Sequence, residues 1–310
     1  MNIYVTCDLT NKDIFKIKKV AKKHKVFFND AVDERAPIDK NFLKSEIVFG
    51  NIPCHWIYQS KRLKWIQLES TGFDEYLDLD WKKIKNKIAI TNLKGFFSEP
   101  ASETTLSAIL SFYRGIDRFV ILKNNKKWIG NPLRNELELL INKKILFFGY
   151  GSINRQLHAL LKPFKCYFDI IDKKTNLSSI KNKIKIADII ICTVPETKKT
   201  INFFDKKKLQ LLKKESLFIN IGRGSLVDEN ELIKILKDRK IKGAVLDVTR
   251  NEPLELSNPL WKCPNLILTQ HTAGGSRKEI LNKVIFFKDN FKKYCLNKPL
   301  KCKINMSKGY

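Results

Sequence analysis

Short apolar runs punctuate the chain, and polar stretches with helical spacing separate them. In the first third, residues 3–7, 26–28, 47–50, 63–68 and 88–91 read as strands, and 12–24 carries a helical period between the first two. Strands alternating with helices predict an α/β domain with a parallel sheet. Around 94–100 the pattern changes. Gly95, Pro100 and polar neighbours make a break, and a helical stripe of Leu106, Ile109, Leu110 and Tyr113 follows over 101–115. Polar 123–127, Trp128 and polar 134–142 then lead into a strand–turn–helix–strand pattern over 144–172. Further strands are expected at 187–192, 217–221, 242–246 and 266–268, with helices at 206–212 and 229–237. That makes about six strands in a second parallel sheet. The last amphipathic stretch, 276–294, carries Val284, Phe287, Phe291 and Tyr294 near one face. It comes too late to serve the second sheet and is expected to return to the first. The pattern therefore predicts two doubly wound domains: 1–97 completed by 276–310, and 98–275.

The stretch 144–172 has a specific physical reading. Ile145-Leu146-Phe147-Phe148 suits a strand buried on both faces. Gly149 can take a turn that side chains forbid. Gly151 lets the backbone approach a phosphate, and the free N–H groups at the next helix start attract that anion. Asp172 closes the second strand 21 residues past Gly151 and can accept hydrogen bonds from ribose hydroxyls. This is the layout of a dinucleotide-binding βαβ unit. Asn154 stands where that pattern has its third glycine, so it is expected to push the helix outward or to turn its side chain into the turn.

Composition narrows the field. The 310 residues suffice for about two domains. No run of 18 apolar residues occurs, so no transmembrane helix is expected. The opening MNIYVTCDLT lacks the pattern of a signal peptide and reads as the first strand of a cytoplasmic protein. Seven scattered cysteines with no C-x-x-C pair argue against a disulfide framework and against a metal site. A net charge of +27 suggests nucleic acid at first sight. The lysines, however, lie along the whole chain on polar faces, with no basic tail or aromatic-interleaved stripe. They read as solvated surface, with no specific nucleic-acid or membrane partner.

Three loops after expected strands carry candidate chemistry, on the side where such sheets bind ligands. The first is Asn220-Ile221-Gly222-Arg223-Gly224, whose arginine can grip a carboxylate through a two-pronged fork. The second runs from Asp247-Val248 to Glu252-Pro253. The third is Thr269-Gln270-His271-Thr272-Ala273-Gly274. Each alone is a common surface feature; their joint occurrence is specific.

With these motifs, nearly the whole chain resembles the D-isomer-specific 2-hydroxyacid dehydrogenases. That family has N-x-x-R-G, D-V-x-x-x-E-P and T-x-H loops, which match Arg223, Glu252 and His271 with spacings of 29 and 19 residues. The resemblance implies a flavodoxin-like substrate domain and a Rossmann domain for NAD, with NADP possible because Lys173 and Lys174 follow Asp172. It implies His271 as acid/base, Glu252 as its orienting partner and Arg223 as the carboxylate grip. Cofactor contacts are implied at Tyr150, Gly151, Ser152, Ile153, Asp172, Thr193, Val194, Pro195, Thr200, Ile221, Gly222, Arg223, Asp247, His271, Ala273 and Gly274. Ser70, Thr71, Gly72, Lys94 and Gly95 match substrate-facing loops, Glu103 the acid that opens the hinge helix, and Gly309-Tyr310 the ending of some relatives.

The partners implied are a small 2-hydroxy or 2-keto acid and a second copy of the chain, docked through roughly 112–142 with Trp128 as an anchor. Closure over the substrate is expected at hinges near 97–99 and 274–276. Gln270 stands where a proline is frequent, which should loosen the histidine loop. Phe96-Phe97 make their loop more apolar than a phosphate-binding loop needs. Some relatives keep the fold as corepressors, so an NAD(H)-responsive binding protein is the alternative function.

Overall fold

The computed structural model describes residues 1–77, 79–80, 83–84 and 88–305. The chain divides into two compact units, Met1–Phe96 joined by the chain from Ser276 onward, and Phe97–Gly275.

The first unit is built on strands β1 (Asn2–Val5), β2 (Lys25–Phe28), β3 (Ile47–Phe49), β4 (Trp65–Gln67) and β5 (Ala89–Thr91), all parallel. Their order is β2-β1-β3-β4-β5, the flavodoxin-like arrangement. Alternate side chains feed opposite layers. Tyr4, Val48 and Ile66 join Phe42 and Trp56 on one face, while Ile3, Val5, Phe49 and Trp65 join the other. The helix Glu279–Cys295 covers that second face. Its Phe287 stacks on Phe49 at 4.4 Å and on Trp65 at 5.6 Å between ring centroids. Buried Asn290 donates from Nδ2 to Gln67 Oε1 at 2.9 Å, and its Oδ1 accepts from the Lys301 N–H at 2.9 Å. An antiparallel bridge between Thr91 and Lys303 completes the return of the chain.

The second unit holds β6 (Lys144–Phe148), β7 (Tyr167–Ile171), β8 (Ile189–Cys192), β9 (Leu217–Asn220), β10 (Gly243–Leu246) and β11 (Leu266–Leu268), again all parallel. The same period of two sorts Leu146, Phe148, Ile190 and Phe218 into one layer and Ile145, Phe147, Ile191 and Ile219 into the other. The order is β11-β10-β9-β8-β6-β7. After β7 the chain runs through the helix Leu177–Ile186 and returns to the far side of β6, so β7 is an edge. The order of connection reverses between β6 and β8. Their carboxyl ends therefore flank the crevice in which open α/β sheets take ligands.

The helix expected over 101–115 runs over Ser98–Arg114. Pro100 lies in its first turn, where no intrahelical N–H is required, so it does not delay the start. Glu103 accordingly sits in the second turn and does not open the helix. Gly115, at φ +65°, ends it in the left-handed conformation. The helix Ile116–Asn124 was not legible in the pattern, because its apolar run Phe119 to Leu122 is not one-sided; none of its residues is buried. Among the described residues, no helix is long and apolar enough to cross a membrane.

Truncating the most stacked residue of the first unit tests this packing. Phe287→Ala is expected to cost about 3–5 kcal/mol, read as a lowered urea midpoint. An unchanged midpoint would mean that the Glu279–Cys295 helix does not hold the first sheet.

Candidate functional site

At the crevice, Gly149 has φ +83°, and a Cβ there would lie 2.6 Å from Val194 Cγ1. Gly151 precedes the helix Ser152–Leu161 and no side chain caps that end. A Cβ at Gly151 would meet nothing within 4 Å. Open space above uncapped N–H groups fits a phosphate anion. Ser152 and Ile153 form the first turn.

Asn154 takes the second of its two expected courses. It is fully buried and turns into the turn, where Nδ2 donates to the Gly149 carbonyl at 2.7 Å. Its buried Oδ1 has no hydrogen-bond partner among the described residues. Tyr150, between the glycines, packs on Phe147, and its hydroxyl lies 2.5 Å from His158 Nδ1. Burial lowers the His158 pKa, which favours the neutral ring as acceptor of the phenol proton. The sequence suggested no role for His158; its place eight residues on, in the helix Ser152–Leu161 that follows Tyr150, is the signal that links the two.

Asp172 follows β7 and is exposed. Its Oδ1 accepts from Thr175 Oγ1 and from the Lys174 N–H, both at 2.9 Å. The Thr175 bond first, then the backbone bond, holds the carboxyl below its usual range. Thr193, Val194 and Pro195 follow β8. Thr193 Oγ1 is buried without a hydrogen-bond partner among the described residues. Thr200 Oγ1 donates to the Pro195 carbonyl at 2.8 Å and closes that loop.

Arg223, Glu252 and His271 come from the loops after β9, β10 and β11. The parallel register aligns Asn220, Leu246 and Leu268, so the three loops leave the sheet side by side. Asn220 shapes the first loop: Oδ1 accepts from the Gly222 N–H at 3.1 Å and Nδ2 donates to the Arg223 carbonyl at 2.8 Å. Gly222 packs on the Val194 backbone, after buried Ile221. A Cβ on Gly224 would lie 1.9 Å from the Thr249 carbonyl, so only glycine lets the arginine loop touch the glutamate loop. Arg223 NH1 donates to the Gly222 carbonyl at 2.8 Å.

Glu252 Oε1 accepts from the Thr249 N–H at 3.0 Å. Its Oε2 lies 2.7 Å from His271 Nδ1 and accepts the proton there. This pairing fixes the tautomer and leaves Nε2 for other chemistry. The imidazole is 54% exposed. Beside the pair lies a cavity of about 420 Å³, walled in part by Pro253, Leu254, Trp261 and Leu268.

The histidine loop is bonded where it was expected to be loose. Asp247 Oδ1 accepts from Thr269 Oγ1 at 2.7 Å and from the Thr272 and Ala273 N–H groups at 2.9 Å each. Ala273 is buried, and its carbonyl accepts from Thr104 Oγ1 at 3.1 Å. The groups of Ala273 thus serve the loop. Gly274 lies against the Phe97 ring.

In the first unit, Ser70-Thr71-Gly72 and Lys94-Gly95 follow the adjacent strands β4 and β5. Ser70 Oγ donates to the Gly72 carbonyl at 2.6 Å and Thr71 Oγ1 to the Leu93 carbonyl at 2.9 Å. Asn92 Nδ2 donates to the Thr71 carbonyl at 2.8 Å, tying the two loops together. Gly95 takes φ +86°. Residues 309–310 lie outside the described residues.

Comparison with known proteins agrees with this geometry. A family model described as D-isomer specific 2-hydroxyacid dehydrogenase, NAD binding domain, matches residues 106–273. A glyoxylate reductase of Aeropyrum pernix is 26% identical over 261 residues, 79% of this chain and 77% of that protein. An erythronate-4-phosphate dehydrogenase of Wigglesworthia glossinidia brevipalpis is 32% identical over 275 residues, 86% of this chain and 67% of that protein. The solved structure of a D-isomer specific 2-hydroxyacid dehydrogenase family protein from Aeromonas salmonicida shares the fold. It has a TM-score of 0.81 at 22% identity and covers 98% of this chain and 99% of that one.

The Asn154 bond is open to test. Asn154→Ala strands the Gly149 carbonyl and is expected to cost about 1–3 kcal/mol of stability, with weaker binding of NADH by fluorescence titration. Full stability with parental NADH affinity would show that the amide does not hold the turn.

Proposed function

The chain belongs to the D-isomer specific 2-hydroxyacid dehydrogenases and is an NAD(P)-dependent oxidoreductase; we propose that it interconverts a small D-2-hydroxy acid and its 2-keto acid with His271 moving the proton. The observation that carries this reading is the 2.7 Å bond from His271 Nδ1 to Glu252. It presents Nε2 as acid or base and sets a carboxylate where it stabilises the imidazolium formed when the base takes a proton. Arg223 binds the substrate carboxylate and polarises the C2 oxygen. We assign Ser70, Thr71, Gly72, Lys94 and Gly95 to substrate binding, on their resemblance and their place at the carboxyl ends of β4 and β5.

The nicotinamide cofactor supplies or takes the hydride at C2. Gly151 and the first turn of Ser152–Leu161 hold its pyrophosphate, with Tyr150 and residues 193–195 alongside. Charged Asp172 accepts from the ribose hydroxyls and repels a 2′-phosphate, which favours NAD; Lys173 and Lys174 leave NADP as a second cofactor.

The finer setting follows from the same features. Ile116, Phe119, Val120, Ile121 and Trp128 are all exposed on the isolated chain, Trp128 at 97%. An apolar surface of this kind suits a homodimer interface anchored by Trp128. All seven cysteines are free, which suits the reducing cytoplasm. The dispersed lysines favour no nucleic-acid partner.

The test is NADH and NADPH oxidation with glyoxylate, hydroxypyruvate, pyruvate, longer 2-keto acids and a phosphorylated analogue. Turnover is expected with an unphosphorylated acid, and no turnover with any of them would sink the proposal. His271→Ala is expected to lower kcat by about 10²–10⁴-fold with NADH affinity retained. Light scattering is expected to give twice the mass of the chain, reverting toward one chain in Trp128→Glu; a parental monomer would refute the dimer.

A further inference from the structure

Gln270 and His271 both lie in the left-handed region, at φ 55° and 56°. Glutamine does not favour it and histidine only tolerates it, and two such residues in succession persist only where the surroundings hold them. The Thr272 N–H closes the turn on the Thr269 carbonyl at 3.1 Å, and Asp247 clamps that turn from outside. Asp247 is buried, and a single carboxylate oxygen takes the Thr269 hydroxyl ahead of the turn and the two N–H groups behind it. Its own carbonyl accepts from the His271 N–H. Its backbone N–H in turn donates to the Asn220 carbonyl at 3.0 Å, which ties it to the loop that carries Arg223. Asp247 thus bonds the residues on both sides of the base and the base's own backbone.

We propose that Asp247 is the positioning residue of His271: it holds the 270–271 turn in the conformation from which Nδ1 meets Glu252. This rests on the reading of His271 as the acid/base, and it differs from a contact with the nicotinamide carboxamide, which would act on cofactor affinity. The other oxygen of the carboxylate takes no part in these three bonds. In this chain the turn sets residue 270 at φ 55°. Proline, fixed near −65°, cannot make it, whereas glycine makes it without strain.

The test compares Asp247→Ala, Asp247→Asn, Gln270→Pro and Gln270→Gly by kcat, KM, NADH dissociation constant and thermal unfolding. Misplacing a catalytic group by about 1 Å costs about 100-fold in rate. Asp247→Ala is therefore expected to lower kcat by about 100-fold while the NADH dissociation constant moves less than about 3-fold. Asp247→Asn keeps an acceptor and is expected to recover at least about 10-fold of that loss. Gln270→Pro is expected to match Asp247→Ala, and Gln270→Gly to stay within about 3-fold of the parent. Parental kcat in Asp247→Ala with weakened NADH binding would overturn the proposal, as would a fully active Gln270→Pro. If Asp247→Ala does not fold, the two Gln270 variants decide. A readout independent of turnover is the His271 Nδ1–H resonance. It is expected in the parent and lost in Gln270→Pro; its persistence there counts against the proposal. If the parent turns over no 2-keto acid, the functional reading fails, and the resonance still decides the positioning.

Discussion

The hydrogen bond between Glu252 and His271 is the interaction on which the site depends, and the sheet decides whether it can form. Glu252 and His271 lie 19 residues apart in sequence. They meet because β10 and β11 are parallel neighbours in register, so their following loops leave the same edge. Parallel strands place every carboxyl end on one side, and a doubly wound sheet opens its crevice there. The arginine loop joins because β9 is the next strand, and because Gly224 offers no Cβ to the Thr249 carbonyl.

The cofactor half rests on a different constraint, the close approach of backbone. Gly149 packs against Val194 and Gly222 against the Val194 carbonyl, so the loops after β6, β8 and β9 touch where side chains would separate them. Gly151, by contrast, is open, and its uncapped helix start is where an anion gains most from the backbone N–H groups. Asn154 adds a clamp on the Gly149 carbonyl. The site is therefore packed where shape matters and open where a ligand must enter.

Much of this was legible in the sequence. Strand-like apolar runs and helical stripes gave the parallel α/β architecture, because burial on both faces demands continuous apolar strands. The N-x-x-R-G, E-P and T-x-H motifs marked the three loops that the sheet sets side by side. Other features were hidden for physical reasons. The helix Ile116–Asn124 carries four consecutive apolar residues, Phe119 to Leu122, which blur the one-sided stripe that marks a helix. The helix start at Ser98 was masked by Pro100, a residue that breaks helix interiors but is harmless in a first turn. The conformation of Gln270 depends on Asp247, which is 23 residues away in sequence and adjacent only in space. The direction of the Asn154 side chain depends on a backbone carbonyl, which no side-chain pattern records.

The most direct test of the central claim is the configuration of the product. A 2-keto acid reduced by the enzyme and NADH is resolved on a chiral column. The account expects the D-2-hydroxy acid in stoichiometry with NADH consumed. Formation of the L-isomer, a racemate, or no 2-hydroxy acid at all would contradict it.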